Sequence, residues 1–250
     1  MANEKKIKPQ KEVKMFKKWR NKRKAESYLL LGENLRYSGK QEEAITEFTQ
    51  AIAIDEDLLD AYLQRGISHI ETGEAKAGIA DLSFVIDINP DISPAYYYRS
   101  MGYMALKKNK LALSDISIAI ELSPQEPANY LQRGAIHFFR EEYEKAIEDT
   151  TMGIKLGFEE AGYNNRAIFH EGQKKYNNAI EDWTKVIEIH SDNAKAYCRR
   201  GMLFAQIGKV QSAISDLKTG LKNADNLDVS TKEDAETLLE KLIKKVDNGQ

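Results

Sequence analysis

YLQRG stands at residues 62–66 of this chain and again at residues 130–134. The two copies are 68 residues apart, which is twice 34, and a search at that spacing finds six similar segments. The fourth residue of every segment is tyrosine, which accounts for half of the 12 tyrosines in the chain. A fixed period of this length indicates an array of stacked structural repeats. The segments are 25–58, 59–92, 93–126, 127–159, 160–193 and 194–226, and their tyrosines are Tyr28, Tyr62, Tyr96, Tyr130, Tyr163 and Tyr197.

Two further positions of the repeat are always occupied by small residues. Position 8 is Gly, Ala or Ser in all six segments, and position 20 is Gly or Ala. Apolar residues of the second half follow helical spacing, and glycine at position 15 of three segments is typical of the end of a helix. The pattern therefore predicts two helices per segment that touch at their small residues. Neither helix could bury its apolar face alone, so the pairs are expected to stack.

The period of 34, the two small positions and the aromatic position 4 resemble the tetratricopeptide repeat (TPR) family, from residue 25 to about residue 226. The resemblance implies an all-α protein, a right-handed superhelical solenoid of six stacked helix-turn-helix repeats. Residues 227–250 are expected to form a C-terminal capping helix and tail, because one face of that segment is apolar. The residues of this face are Ala235, Leu238, Leu239, Leu242, Ile243 and Val246.

Charge is distributed very unevenly along the chain. The whole chain has 37 basic and 39 acidic residues, but residues 1–24 contain eleven basic and two acidic ones. That segment carries +9 and the remainder −11. No apolar run approaches the roughly 18 residues of a membrane-spanning helix, and the N-terminus lacks the apolar stretch of a signal peptide. The single cysteine, Cys198, excludes an internal disulfide framework. We expect a cytoplasmic protein, or a nuclear one if the source is a eukaryote.

Catalytic and metal-binding signals are weak. His69, His137 and His170 all occupy position 11 of their segments, where Leu, Tyr or Phe stands in the others, and this indicates a packing position. Equivalent positions of stacked helices lie about 10 Å apart, too far for shared metal ligation. No nucleophile with a local base and no phosphate-binding glycine loop is found. The sequence predicts neither an enzyme nor a cofactor.

A charge ladder runs through the repeats. Position 7 is arginine in the last five segments, and position 23 is acidic in all six. The first segment has Leu31 at position 7 and no repeat before it. We therefore expect each arginine to pair with the acid of the preceding repeat, so that Arg99 approaches Asp81 more closely than Asp115.

The resemblance further implies that the first helix of each pair lines a concave groove. The residues expected there are unusually apolar, and large exposed apolar patches usually mark binding sites. The sequence thus favours a non-catalytic scaffold that binds a peptide or helix of another protein in this groove, and a homo-oligomer stays open. The expected groove residues are Leu30, Leu63, Ile67, Ile70, Tyr97, Tyr98, Met101, Met104, Leu131, Phe138 and Phe139.

Some TPR proteins hold acidic C-terminal tails of chaperones through a clamp of lysine, arginine and asparagine. Asn165, Lys195 and Arg199 match the last two parts of that clamp. Leu131 and Ala135 stand where its first lysine and asparagine would be. A half-clamp that contacts a carboxylate or a peptide backbone is therefore the expectation for these three residues.

The basic segment 1–24 has three interpretations. Val13, Met15, Phe16 and Trp19 fall within one arc of a helix and could cap the first repeat. Alternatively, the segment is an arm that recruits an assembly factor to RNA or to an anionic membrane surface, or a nuclear import signal. The basic residues that would carry the last two functions are Lys17, Lys18, Arg20, Lys22, Arg23 and Lys24.

Overall fold

A computed structural model of the chain describes residues 10–224 and 227–248, with side chains from residue 14 onward. Residues 1–9 and the side chain of Val13, which belong to the predicted basic segment, lie outside the described residues. The described residues form helices joined by short turns, without a strand, and the predicted all-α class is confirmed. Two compact units divide the chain, unit 1 at Met1–Ser123 and unit 2 at Pro124–Gln250. Unit 1 contains α1 Gln10–Tyr37, α2 Gln41–Ile54, α3 Leu59–Glu71, α4 Ala75–Ile88, α5 Ser93–Ala105 and α6 Asn109–Leu122. Unit 2 contains α7 Pro127–Phe139, α8 Tyr143–Lys155, α9 Glu159–Gly172, α10 Tyr176–Ile189, α11 Ala194–Gln206, α12 Val210–Lys222 and α13 Val229–Asp247.

The small residues lie where the two helices of a pair touch, as the sequence predicts. A Cβ added to Gly66 of α3 would come within 2.9 Å of Leu82 on α4. One added to Gly78 of α4 would lie 2.8 Å from the carbonyl oxygen of Gly66. In unit 2, a Cβ on Gly134 of α7 would lie 3.0 Å from the carbonyl oxygen of Ala146 on α8. Larger residues would hold these backbones apart, so the small positions set the spacing of each pair.

The turn inside each pair uses a left-handed residue at position 15. Glycine fills it at Gly39, Gly73 and Gly208, with φ between 77° and 85°. Lys107, Glu141 and Lys174 adopt φ of 57° to 60° at the same position of the other three segments. The geometry of the turn is therefore common to all six segments, although only glycine adopts it without steric cost.

The ladder of arginine and aspartate is arranged differently from the sequence expectation. Arg99 donates from Nε to Asp115 Oδ2 at 2.7 Å and from Nη2 to Oδ1 at 2.8 Å, so it pairs with the acid of its own helix pair. The expected pairing with Asp81 is wrong, because the antiparallel helices of one pair bring positions 7 and 23 opposite each other. Arg65 pairs in the same way with Asp81.

A hydroxyl group provides the connection to the preceding pair. Nη1 of Arg99 donates to Ser83 Oγ at 3.0 Å, and Nη1 of Arg65 donates to Thr49 Oγ1 at 3.2 Å. Both hydroxyls stand at position 25 of the segment before. The first segment, in which Leu31 replaces the arginine, is also the one without a position 25 hydroxyl from a preceding segment.

The N-terminal half of α1 projects beyond the first helix pair. Residues 10–24 continue the same helix that packs against α2, which makes α1 28 residues long. Met15 and Phe16 are each 68% exposed, and Trp19 is 52% exposed. The interpretation that these apolar residues cap the first repeat is therefore wrong, because they point into solvent. We call residues 14–24 the basic arm.

The last helix covers the end of unit 2. Ala235 and Leu242 of α13 are buried in a cluster with Cys198 and Leu217, while Leu238 and Leu239 pack at its edge. Val246 is 39% exposed and extends past the contact. A helix thus packs on the end of unit 2 as predicted, and four of the six residues of the expected apolar face take part in the contact.

Candidate partner-binding surfaces

The first helices of unit 1 present one connected surface, which we call the first-helix face. Helix α3 contacts both α1 and α5. Arg36 of α1 forms an ion pair with Glu71 of α3 at 3.6 Å, and its guanidinium lies 4.9 Å from the ring centroid of Tyr37. Burial raises the pKa of Tyr98 on α5, and the charge of Glu71 raises it further. Side chains of three successive first helices therefore meet at this place.

Aromatic and apolar side chains dominate the first-helix face. Tyr97 and Tyr98 form an edge-to-face pair with ring centroids 5.1 Å apart, and both are half-buried. Leu30 is 60% exposed and Tyr37 is 79% exposed. Their exposure supplies apolar area that a partner could cover. Leu63, Met101 and Met104 on the other first helices of the unit are half-buried.

Two of the expected groove residues of unit 1 serve packing instead. Ile67 is only 4% exposed and belongs to a core cluster with Leu82. The Cδ1 atom of Ile70 fills the space beside two glycines, since a Cβ on Gly78 would lie 2.6 Å from it and one on Gly102 2.7 Å. Ile67 and Ile70 therefore pack beneath the exposed side chains of the first-helix face.

In unit 2, the three expected groove residues are placed very differently from one another. Leu131 is 7% exposed and fills the space beside Gly153, so it is a packing residue. Phe138 stacks on Phe169 with ring centroids 4.7 Å apart and is half-buried. Phe139 is 67% exposed. Phe139 alone of these three presents most of its side chain to solvent.

The half-clamp in unit 2 already contains a carboxylate of the protein itself. Arg199 Nη2 donates to Glu171 Oε2 at 2.7 Å, and Trp183 Nε1 donates to the other oxygen of Glu171 at 2.7 Å. Asn165 accepts a hydrogen bond from the neighbouring Asn164 side chain at 3.4 Å. Burial raises the pKa of Glu171, although the positive charge of Arg199 opposes this change.

Lys195, the third residue of the half-clamp, lies in a cleft with both acidic and basic groups. It lines this cleft of about 690 Å³ together with Glu160 and Asp192, and with Lys222 and His190. Glu160 forms an ion pair with His190 at 3.0 Å. Of the three half-clamp residues, Arg199 is the one that is engaged with a carboxylate of unit 2.

Comparisons with known proteins agree with this geometry. A family model described as TPR repeat matches residues 32–73, which run from α1 to just after α3. The chain contains a TPR repeat and has the TPR fold. A tetratricopeptide repeat protein from Parabacteroides merdae is 22% identical, with a TM-score of 0.65 over 88% of this chain and 84% of that one. Pseudomonas aeruginosa pilF is 14% identical, with a TM-score of 0.71 over 87% and 98% of the two chains.

A larger assembly protein shares the fold as well. A chain of the APC/C hetero-tetramer Cut9-Hcn1 is 18% identical, with a TM-score of 0.72 over 87% of this chain. The TPR chain described here spans 42% of the length of that protein. No curated protein sequence matches. The TPR fold generally serves protein–protein interaction and scaffolding, and this chain has that fold.

The position 11 histidines lie near acidic groups of their own helix pairs. His69 Nδ1 lies 2.6 Å from Glu74, and His137 Nδ1 lies 2.8 Å from Glu142. Burial lowers the pKa of His170, whose Nε2 lies 3.9 Å from Asp182. Among the described residues, no three His, Cys, Asp or Glu side chains come together as metal ligands would.

The basic arm has two sides with different surroundings. Lys14, Lys17, Lys18 and Lys22 line a cleft of about 600 Å³ against the end of α2 and the α2–α3 turn, residues 52–57. On the opposite side, Phe16 and Trp19 lie against each other with ring centroids 5.6 Å apart. Within the described residues, none of the helices is both long and apolar enough to span a bilayer.

Sequence reasoning missed one signal that was present in the chain and one contact for which the sequence gives no signal. Position 25 is Thr or Ser in the first five segments and Lys218 in the sixth, after which no further arginine follows. This pattern marks the hydroxyl that links neighbouring pairs. The missed contact is the one that Glu171 makes with Trp183 and Arg199. Nothing in the spacing of these residues indicates that Glu171 reaches Arg199 on a different helix.

Proposed function

We propose that this TPR protein is a non-catalytic scaffold whose first-helix face in unit 1 binds an apolar helix or extended segment of another protein. The observation that carries the proposal is the exposure of Leu30 and Tyr37 on α1, at 60% and 79%, together with the half-buried pair Tyr97 and Tyr98 on α5 of the same unit. Aromatic side chains near the centre of an interface commonly dominate its affinity. Their position on the first helices of one unit would let a short segment contact all of them.

The partner expected from these side chains is apolar and not acidic. A tyrosine hydroxyl is protonated at neutral pH and can donate a hydrogen bond to a partner carbonyl, and burial raises the pKa of Tyr98 further. Arg36 is already paired with Glu71, which leaves little free positive charge on the first-helix face. An acidic peptide would find no strong anchor on this surface.

The test uses variants that change exposed residues and spare the core. Leu30→Ser combined with Tyr37→Ala should weaken partner binding by a factor of about ten or more, as loss of central interface contacts does. The matched control is Ile88→Ser with Leu111→Ser, because these residues are 63% and 46% exposed on second helices of the same unit. Partners are isolated from the source cell with the full chain, and affinity is then measured by calorimetry.

Two results would contradict the proposal. Equal affinity of the Leu30 and Tyr37 variant and the native chain would remove the first-helix face as the binding site. Loss of binding in Lys195→Ala, with normal binding in the other variant, would instead favour an acidic ligand at the half-clamp. Far-UV circular dichroism of each variant confirms that the helices are intact.

A second proposal concerns recruitment by the basic arm, the alternative expected from the sequence. Residues 14–24 contain seven basic and no acidic residues. The specific observation in its favour is the exposure of Met15, Phe16 and Trp19 among these charges. Recruitment to an anionic surface would place the scaffold where its partner is needed.

A further inference from the structure

The basic arm has an outward side on which three large apolar residues stand among basic residues. Residues 15, 16 and 19 lie within an arc of about 100° on a helix of 3.6 residues per turn. Met15, Phe16 and Trp19 are all more than half exposed. Arg20 is exposed on one flank of this arc and Lys22 on the other, while Arg23 is exposed within the arc between Trp19 and Phe16. We call these three apolar residues and their basic flanks the outward face of the arm.

The opposite side of the arm faces acidic groups of the protein. Its lysines share the cleft with Asp55, Glu56 and Asp57 of the α2–α3 turn. The arm is continuous with the rest of α1, so the packing of α1 against α2 fixes the rotation of the arm. The apolar arc then points away from the body of unit 1.

We propose that the outward face binds the surface of an anionic lipid bilayer. The proposal rests on recruitment by the basic arm and specifies its target. Interfacial helices combine Trp and Phe on one side with Lys and Arg beside them, and they lie in the plane of the headgroups. Met15, Phe16 and Trp19 enter the boundary of the acyl chains, while Arg20 and Arg23 reach the lipid phosphates.

The arrangement of the rings distinguishes a bilayer from single-stranded RNA. Binding of single strands depends on open aromatic faces on which bases can stack. Here the rings of Phe16 and Trp19 pack against each other at an interplanar angle of 49°, and the guanidinium of Arg23 lies 5.1 Å from the Trp19 ring centroid. The ring faces are thus partly occupied, whereas burial in lipid requires only that the apolar edges be exposed.

The phosphate chain of a nucleic acid would also leave the apolar arc uncovered. Lysine and arginine alone provide the contacts for non-specific phosphate binding. Three large apolar side chains in the centre of the basic arm add nothing to such binding. In a bilayer interface, the same side chains add apolar burial to the electrostatic attraction.

The experiment uses the full chain with vesicles of equal parts phosphatidylserine and phosphatidylcholine, and with vesicles of phosphatidylcholine alone. Binding is measured by co-sedimentation and by tryptophan fluorescence. Trp183 is fully buried, so a change in emission reports Trp19. We expect binding to the anionic vesicles with a blue shift of the emission, quenching by brominated lipid chains, and at least about tenfold weaker binding to the neutral vesicles.

Matched variants distinguish binding by the apolar arc from nonspecific adsorption of exposed phenylalanines to vesicles. Phe16→Ser with Trp19→Ser should weaken binding to the anionic vesicles by about tenfold or more, because it removes the buried apolar area. Phe139→Ser with Phe158→Ser is the control, since these phenylalanines are 67% and 45% exposed elsewhere. Arg20→Gln with Arg23→Gln should weaken binding to the anionic vesicles and leave the neutral vesicles unaffected.

Three results would overturn the proposal. The first is an unchanged emission of Trp19 with anionic vesicles, and the second is equal vesicle binding of the Phe16 and Trp19 variant. The third is that the native chain binds a single-stranded RNA but no vesicles, and that the Phe16 and Trp19 variant still binds this RNA. That result would favour nucleic acid as the target. The Leu30 and Tyr37 variant should bind vesicles normally, so failure at the first-helix face is distinguishable from failure of the arm.

Discussion

The pairing of Arg99 with Asp115 allows a quantitative test of the geometry of the repeat. The two side chains are 15% and 6% exposed and share two short hydrogen bonds. Removing one partner of a buried ion pair costs about 3–5 kcal/mol, because the other charge is left uncompensated. The ring centroid of Tyr96 lies 5.6 Å from the guanidinium, and this contact continues to stabilise the charge of Arg99 when Asp115 is replaced. We therefore expect Asp115→Asn to lower the free energy of unfolding by about 3 kcal/mol, at the lower end of that range.

A double-mutant cycle isolates the pair from other effects of each substitution. Arg99→Met and Asp115→Leu, alone and together, are compared by urea unfolding followed by circular dichroism. We expect a coupling energy of about 2–3 kcal/mol between Arg99 and Asp115. The coupling of Arg99 with Asp81 should be about 0.5 kcal/mol or less, because Asp81 accepts two hydrogen bonds from Arg65. A larger coupling with Asp81 than with Asp115 would refute the pairing within one helix pair.

Three further predictions concern unit 2. Gly134→Leu should lower the free energy of unfolding by at least about 1–3 kcal/mol through overpacking, because a Cβ would lie 2.8 Å from Thr150 Oγ1. Ala135→Leu is the control, and an unchanged melting temperature of the Gly134 variant would contradict the prediction. His170 has a lowered pKa through burial, so its contribution to stability is lost as the pH falls below its ordinary value of about 6.5. His170→Phe should therefore flatten the dependence of unfolding free energy on pH between about 7 and 5, and an identical slope in both proteins would argue against it. Burial raises the pKa of the Cys198 thiol to about 11, so a thiol reagent should react at neutral pH only on unfolding, and rapid labelling of the folded chain would disprove this.

Much of the fold follows from the repeated positions. Gly66 and Gly134 report a close helix contact because any side chain there would overlap the facing helix, so their periodic recurrence has one physical explanation. The sequence predicts the left-handed turn in only three of the six segments. Gly39 predicts it, whereas Lys107 gives no such signal, since a lysine adopts positive φ only when the flanking helices impose it.

The pairing of the ladder was misjudged for a geometric reason. Charge and spacing along the chain do not reveal which of two acidic residues faces Arg99, because both lie about one helix away. The antiparallel arrangement within a pair favours Asp115. The hydroxyl of Ser83 then supplies the link between pairs that the absence of arginine at Leu31 had indicated.

The candidate site is less accessible to sequence reasoning than the fold. Leu30 and Ile67 both occupy expected groove positions, yet one is 60% exposed and the other 4%. The difference depends on how closely neighbouring first helices approach, which a helical wheel does not show. For the same reason, the exposure of Trp19 could not be separated from a capping role until the direction of the basic arm was known.

The central claim is that the first-helix face of unit 1 contacts the partner, and site-specific photo-crosslinking tests it most directly. Benzoylphenylalanine is placed at Tyr37, at Leu111 on a second helix of the same unit, and at Lys195 in the half-clamp. The account predicts that position 37 forms a covalent product with a defined segment of the partner, while positions 111 and 195 do not. Crosslinking from position 111 or 195, with none from position 37, would contradict it.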